Sequence, residues 1–279
     1  MVPVRILTWN LWWRFGPWEE RRKAILAVLR EVRPDVIALQ EVWSAGPDNL
    51  AALLADELEL ECVFAPAGVP PHWHGHTDPS VGVGNAVLSR WPIAESEVRA
   101  LPDAGGPAEG RVALYTLIDA GAARVPLLTT HLHAVPTGSA VRVAQVSELA
   151  RFIAEVRGRG DFPAVVTGDF NAEPDSDELR LFGGVKTAPV VPHQAMVDVW
   201  RHADPGQPWA TWSAANPYIR HPMDVDTRID YIHVGMRPLG APGPFGVRSV
   251  RLAGDGPVDG VWPSDHLAVV ADLISPLSP

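Results

Sequence analysis

Six short stretches of this chain place, at one end or the other of an apolar run, residues that can handle a metal, a water or a phosphoryl group. The one at Pro163–Leu179, PAVVTGDFNAEPDSDEL, runs an apolar segment into Asp169 and Asn171. Residues two apart in a strand share a face, so a strand continuing through Asn171 would point its acid and its amide the same way. The pattern recurs: ILTWN ends in Asn10, IALQE in Glu41, and LLTTHLH in His131 and His133; RIDYI opens near Asp230, and Asp265 and His266 precede the last apolar run. A single acid at a strand end is usually a turn or cap residue. Several strands each delivering a carboxylate, an amide or an imidazole is a different matter. Asn10, Glu41, Asp169, Asn171 and Asp265 are hard oxygen donors suited to Mg²⁺ or Mn²⁺, and the histidines suit acid–base or charge-stabilising work.

The elements that must position these residues follow from periodicity. Val4–Asn10 reads as a buried strand. A helix follows, with Ile25, Val28, Leu29 and Val32 spaced i, i+3, i+4, i+7 and Pro34 ending it, then a second strand over Asp35–Glu41 and a second helix over Pro47–Leu58. This β-α-β-α start favours a sheet covered by helices. GVGNAVLSRWPI, GRVALYTLID and RVPLLTTHL read as strands between Gly/Pro turns. A long amphipathic helix is expected over Ser139–Val156, with Val146, Leu149, Ala150 and Ile153 on one face. PAVVTGDFN is then a strand, a short helix starts near Asp175, Pro189 to Pro222 is Pro-rich, and RIDYIHVG and HLAVVADLI are the closing strands. With no repeat and no long linker, residues 1–279 are expected to form one domain.

Composition narrows the function. The 279 residues are 47% hydrophobic and 20% charged, the range of a globular protein able to bury a large core. A formal charge of −10 argues against a basic nucleic-acid footprint, although bound divalent cations would reverse the sign locally. One cysteine, Cys62, excludes an internal disulfide. Neither a signal-peptide pattern nor an 18-residue apolar run is present, so a cytoplasmic protein without membrane insertion and without an obligate protein partner is the expectation.

TWN, LQE, THL, GDFN, RIDYI and SDH, in that order from residue 8 to 266, together with GNAVLSRWPI and EGRVALY, resemble the endonuclease/exonuclease/phosphatase superfamily, the DNase I-like group. The resemblance covers nearly the whole chain. It implies an α/β (α+β) fold, a four-layer αββα sandwich of two mixed sheets flanked by helices, with a site at one edge of the packed sheets. It also implies that Asn10 and Glu41 hold a catalytic Mg²⁺ or Mn²⁺ with Asp265 completing the shell, and that Asp169 and Asn171 orient or activate the attacking water. His266, oriented by Asp230, would contact the phosphate, and His131 would donate to a nonbridging oxygen. Phosphoester hydrolysis needs charge neutralisation and a positioned water more than a covalent nucleophile, and these residue types supply both.

Other residues leave two readings open. Arg111 in EGRV is a phosphate contact or a salt-bridge partner of a site carboxylate. Asn85 reaches the substrate or stabilises a turn. Trp212 is expected as a pocket wall, and Trp12, Trp13 and Trp18 as stacking surfaces or packing. His133 joins the site or supports it, and Asp198 supports the site or lies on a helix surface. His72, His74 and His76 share a face and bind a transition metal only if they lie in a strand; a Pro/Gly-rich loop favours solvated histidines.

The leading expectation for function is a metal-dependent phosphodiester hydrolase of nuclease type, the runner-up a hydrolase of phospholipid head groups or small phosphorylated metabolites, and the third a catalytically silent binding module. TGDFNAEP and RIDYIHV lack the signatures of inositol-polyphosphate 5-phosphatases. The short aromatic loop at Trp73 is unlike the membrane hairpin of secreted sphingomyelinases, and the low positive charge is unlike AP endonucleases.

Overall fold

The computed structural model describes residues 3–75, 77–106, 108–121, 123–219, 225–236 and 246–274. The chain runs β1 (Pro3–Asn10), α1 (Trp18–Val32), β2 (Val36–Ala45), β3 (Asp48–Asn49), α2 (Leu50–Leu58), β4 (Glu61–Ala67), β5 (Gly82–Ser89), β6 (Ile93–Ala100), β7 (Val112–Asp119), β8 (Arg124–His131), α3 (Ser139–Val156), β9 (Val165–Asp169), α4 (Asp177–Gly183), β10 (Met196–Asp198), β11 (Asp230–Gly235), β12 (Gly246–Ala253) and β13 (Ala268–Ile274). Two sheets result. One has the order β12-β13-β1-β2-β5-β4 with β3 beside β2, and the other the order β10-β11-β9-β8-β7-β6. Each is mixed: β1 runs parallel to β2 and β8 parallel to β9, while the remaining ladders are antiparallel.

Three apolar clusters make the layers visible. Ile25, Val28 and Leu29 of α1 and Leu50 and Leu54 of α2 meet Leu7, Trp9, Ile37 and Leu39 of the first sheet. Val146, Leu149 and Ile153 of α3 and Phe182 of α4 meet Tyr115, Leu128 and Tyr231 of the second. Between the sheets lie Val4, Ile6, Val36 and Ala38 from one and Leu114, Leu127, Val165 and Ile232 from the other. This is the αββα sandwich. None of the described helices is long and apolar enough to cross a membrane.

Strand alternation carries the site from this core. Along β1 the seam-facing set Val4, Ile6 continues through Thr8 to Asn10; along β9, Val165 continues to Asp169; along β11, Ile232 steps back to Asp230. A buried polar tie crosses the seam just inside: Gln40 Nε2 donates to Thr8 Oγ1 at 3.1 Å and to Thr129 Oγ1 at 2.9 Å, and His131 lies two residues beyond Thr129 on β8. Four candidate site side chains therefore emerge at one end of the inter-sheet seam because the residues before them are its core.

Some expected elements differ. GVGNAVLSRWPI divides at Arg90–Pro92 into β5 and β6, which belong to different sheets. β4 and β12 are additional strands; both lie at sheet edges, and Pro66, which has no N–H to donate, is tolerated in β4 for that reason. β9 stops at Asp169, and Asn171 takes a left-handed conformation, φ 49°, so it does not share a strand face with Asp169. Residues 71–73 form a 3₁₀ turn, so His72 and His74 do not share a strand face; His76 lies outside the described residues, as do 220–222 of the Pro-rich stretch.

Candidate active site

The seam opens into a cleft of about 1000 Å³ lined by Trp12, Glu41, Trp73, Asn171, Trp212, Asp265 and His266 among others. Glu41 reaches it through a backbone irregularity. The β2–β5 register slips between Leu39 and Val42, and Glu41 sits at φ 51°. Gln40 already faces the seam, so regular alternation would send Glu41 into the helical layer; the bulge turns it toward the cleft. Asp265 and His266 are placed by the segment before β13. Ser264 Oγ donates to the Asn10 carbonyl at 2.7 Å, and Trp9 Nε1 donates to the His266 carbonyl at 2.9 Å. The loop after β1 is fixed by a residue the sequence did not single out: buried Arg21 donates to the carbonyls of Leu11, Trp12, Trp13, Phe15 and Pro263.

The polar groups form one connected network. Asn10 Nδ2 donates to Asp169 Oδ2 at 3.0 Å, across the two sheets, and the Asn171 backbone N–H donates to Asp169 Oδ1 at 2.8 Å. The same Asp169 Oδ2 lies 3.4 Å from His131 Nε2 and 3.8 Å from His266 Nε2. His266 Nδ1 lies 2.9 Å from Asp230 Oδ2, and His131 Nδ1 lies 4.0 Å from Glu41 Oε1. Asn171 Nδ2 donates to the Leu132 carbonyl at 3.0 Å.

Excess negative charge dominates the electrostatics. Burial, then repulsion from Asp265, pushes the Glu41 carboxyl up to about 8, against the pull of His266 and Arg111. Burial and Asp230 push Asp169 up to about 6, and Asp265 is raised chiefly by burial. Burial lowers the His266 imidazole, but Asp230, Asp265 and Asp169 outweigh it and hold it well above its ordinary value. Burial, then Arg111 and His266, keep His131 well below its own, so it is neutral.

Such a cluster suits a cation, and two groupings compete for it. Asp169, Asp230 and His266 place ligand atoms within 4.8 Å of one another. Both Asp169 oxygens already accept hydrogen bonds, however, and Asp230 Oδ2 is engaged with His266. Glu41 Oε2 and Asp230 Oδ1 are both buried with no hydrogen-bond partner, but Glu41 lies beside the raised Asp265, whereas Asp230 holds His266 through its other oxygen. An orphaned carboxylate oxygen among oxygen donors fits a hard divalent ion better than a hydrogen-bonded His–Asp pair does. Asn10 is adjacent, its Oδ1 accepting the Trp12 N–H at 2.9 Å.

The remaining candidates separate. Trp212 and Trp12 line the cleft, Trp12 stacked on Tyr218 at 4.6 Å. Trp13 and Trp18 pack inside, against Trp73 and Trp43. Asn85 is buried and does not line the cleft itself; it donates to the Val112 carbonyl at 3.1 Å, joining β5 to the facing sheet. Arg111 is 5% exposed, in a small void with Glu41, Asn85 and His131. Asp198 pairs with Arg228 at 2.8 Å. Buried Glu109, which contacts Arg111 and His133, was not anticipated; only its place in EGR could have drawn attention to it.

Residues 7–266 match the model of the Endonuclease/Exonuclease/phosphatase family. The chain belongs to that family. Its members hydrolyse phosphoesters, and the family's αββα fold is the one described above. The chain is similar to Nocturnin of Xenopus laevis, 25% identical over 92% of this chain and 64% of that protein. It is also similar to an inositol phosphosphingolipids phospholipase C of Schizosaccharomyces pombe, 28% identical over 61% of this chain and 42% of that protein. It therefore spans less than two thirds of the length of either relative. Among solved structures, D. rerio TDP2 complexed with a single-strand DNA product superposes with a TM-score of 0.76, at 21% identity, covering 99% of this chain and 100% of that one.

Proposed function

We propose that this chain is a divalent-metal-dependent phosphodiester hydrolase in which a water, not a protein nucleophile, attacks phosphorus. Glu41 and Asp265, with Asn10 adjacent, are the residues that hold Mg²⁺ or Mn²⁺. What the cation supplies when bound is Lewis-acid stabilisation of charge on the phosphoryl oxygens. Asp169, anchored at both oxygens, takes the proton of the attacking water, which Asn171 helps to place. His266, cationic and held by Asp230, donates to a phosphoryl oxygen, and neutral His131 donates to another. The observation that carries this reading is the cluster of three carboxylates, buried Asp169 with half-buried Glu41 and Asp265, all raised above their ordinary values beside a His–Asp pair.

The cleft also bears on the substrate. Six carboxylates line it (Glu41, Asp265, Glu173, Asp175, Asp177 and Glu178) against one guanidinium, Arg142, which is paired with Glu178 at 2.6 Å. A bound cation neutralises Glu41 and Asp265 but leaves the 173–177 rim acidic. A long polyanion meets repulsion there, whereas one phosphodiester joined to an apolar or aromatic group meets Trp12, Phe15, Trp73 and Trp212. We therefore place small or head-group phosphodiesters ahead of nucleic-acid strands, a choice in keeping with the phospholipase C relative. The test is hydrolysis of bis-p-nitrophenyl phosphate, p-nitrophenyl phosphate and a single-stranded oligonucleotide with Mg²⁺, Mn²⁺ or EDTA. Metal-dependent turnover of the small diester above the other two is expected. Preference for the monoester, or turnover in EDTA, would refute the proposal.

A further inference from the structure

Glu109 is a carboxylate that the mechanism above does not use, and it is 1% exposed. Its Oε2 accepts the Arg111 Nε–H at 2.7 Å and the Ala134 backbone N–H at 3.2 Å, and lies 3.2 Å from His133 Nδ1. Its Oε1 faces His72 Nδ1 at 3.9 Å and has no hydrogen-bond partner. One carboxylate thus touches the entrance to β7, the turn after β8 and the 3₁₀ turn that carries Trp73 of the cleft wall.

The backbone around Glu109 is fixed as tightly. The Glu109 N–H donates to Asp103 Oδ1 at 3.2 Å, and the Gly110 carbonyl accepts the Gly68 N–H at 2.9 Å. Gly110 is left-handed at φ 59°, and a Cβ added at Gly68 would come within 2.6 Å of the Glu109 carbonyl. The Glu-Gly-Arg sequence makes a turn in which acid and base, two residues apart, face each other. A bond through Nε leaves the two terminal nitrogens of the guanidinium unused, and among the described residues they donate to no acceptor. Arg111 lines the void shared with Glu41 and His131. The charge is felt there, since Arg111 opposes the upward displacement of Glu41 and helps keep His131 neutral.

We propose that Glu109 is a positioning residue: it anchors Arg111 through Nε so that the guanidinium is held against Glu41 and His131, where the phosphoryl charge develops. The inference rests on the phosphodiesterase reading of the cleft. Packing alone would not require a buried acid to hold a buried base through Nε beside a void lined by Glu41 and His131.

The test is a double-mutant cycle on bis-p-nitrophenyl phosphate with Mn²⁺, using Glu109→Gln, Arg111→Ala and the pair. Loss of the cation is expected to lower kcat/KM by about 100-fold, and loss of the charged anchor by about tenfold. The double variant should be no slower than Arg111→Ala, because the acid acts through the base. Added guanidinium ion should restore turnover to Arg111→Ala but much less to the double variant, a difference that a merely structural Glu109 would not produce. Additive losses, equal rescue, or unchanged kcat/KM in Glu109→Gln would overturn the proposal. The Arg111 Nε–H resonance, protected from exchange in the wild type and exposed in Glu109→Gln, reads the anchor without turnover; no change there overturns it too. If Glu109→Gln does not fold, Arg111→Lys, which keeps the charge and loses the Nε–H, must lose rate as Arg111→Ala does. Absence of diester turnover by the wild type with any metal would refute the phosphodiesterase reading instead, and full turnover by Glu41→Ala would refute only the metal site assigned to Glu41.

Discussion

His266 Nδ1 and Asp230 Oδ2 meet at 2.9 Å from opposite sheets, one residue preceding β13 and the other opening β11. The pair assembles only when the sandwich closes. Asp230 is held from the backbone side as well, its N–H donating to Thr211 Oγ1 at 3.2 Å, while Leu267 donates to the Thr211 carbonyl at 2.7 Å. Thr211 thus bridges the two sheets beside the dyad.

Asp230→Asn keeps the size of the side chain and removes the charge that favours the imidazolium. We expect kcat to fall on the order of 10²–10⁴-fold, as when an orienting acid is lost from a histidine, with the far-ultraviolet spectrum unchanged. Turnover close to wild type would show that His266 needs no orienting partner.

Glu41 is at odds with stability when no cation is bound. It is half-buried, repelled by Asp265, and has one buried oxygen without a partner. Glu41→Gln removes that repulsion, so the metal-free variant should melt no lower than metal-free wild type and gain about 1 kcal/mol. Excess Mn²⁺ should raise the wild-type Tm and leave the variant's nearly unmoved, and turnover should fall by about two orders of magnitude or more. Equal metal-induced shifts in the two proteins would remove Glu41 from the ligand set.

His233 gives the fold an acid limit. It is 3% exposed, wedged among Phe170, Phe182 and Tyr231, and burial lowers its imidazole from 6.5 to about 4. Between those values the unfolded chain binds a proton that the folded chain refuses, so stability falls as pH drops from 6.5 toward 4. The loss from this one group approaches about 3 kcal/mol at the lower end. His233→Phe should flatten that part of the curve of urea-unfolding free energy against pH. An unchanged slope would assign the acid sensitivity elsewhere.

What the sequence disclosed, and what it withheld, divides along physical lines. The placement of Asn10, His131 and Asp169 was readable because each ends a mostly apolar run that reads as a strand buried on both faces. The helix Ser139–Val156 was readable to its ends because its buried face repeats at i, i+3, i+4. Glu41 was found by its motif, but the bulge that aims it leaves no mark in local composition. β4 escaped because Pro66 interrupts its short apolar run, and β12 because Arg248, Ser249 and Arg251 break up its apolar residues. Arg21, Glu109 and Arg142 escaped because a charged residue in a sequence looks like surface; only tertiary structure shows that their partners are backbone carbonyls or an opposite charge deep in the protein.

The acidic rim makes the substrate choice testable by charge. Glu173, Asp175 and Asp177 are exposed, and the loop that carries the first two connects directly to Asn171 in the cleft. If that rim is what turns away a polyanion, Glu173→Lys with Asp175→Lys should raise kcat/KM on a single-stranded oligonucleotide by about tenfold at low salt. The gain should shrink as salt is added, because screening weakens attraction between exposed charges. Bis-p-nitrophenyl phosphate carries one charge and reacts at the floor of the cleft, so its turnover should be almost unaffected. An oligonucleotide rate that ignores both the substitutions and the salt would mean that the strand does not pass over this rim, and the preference for small diesters would have to come from the aromatic wall alone.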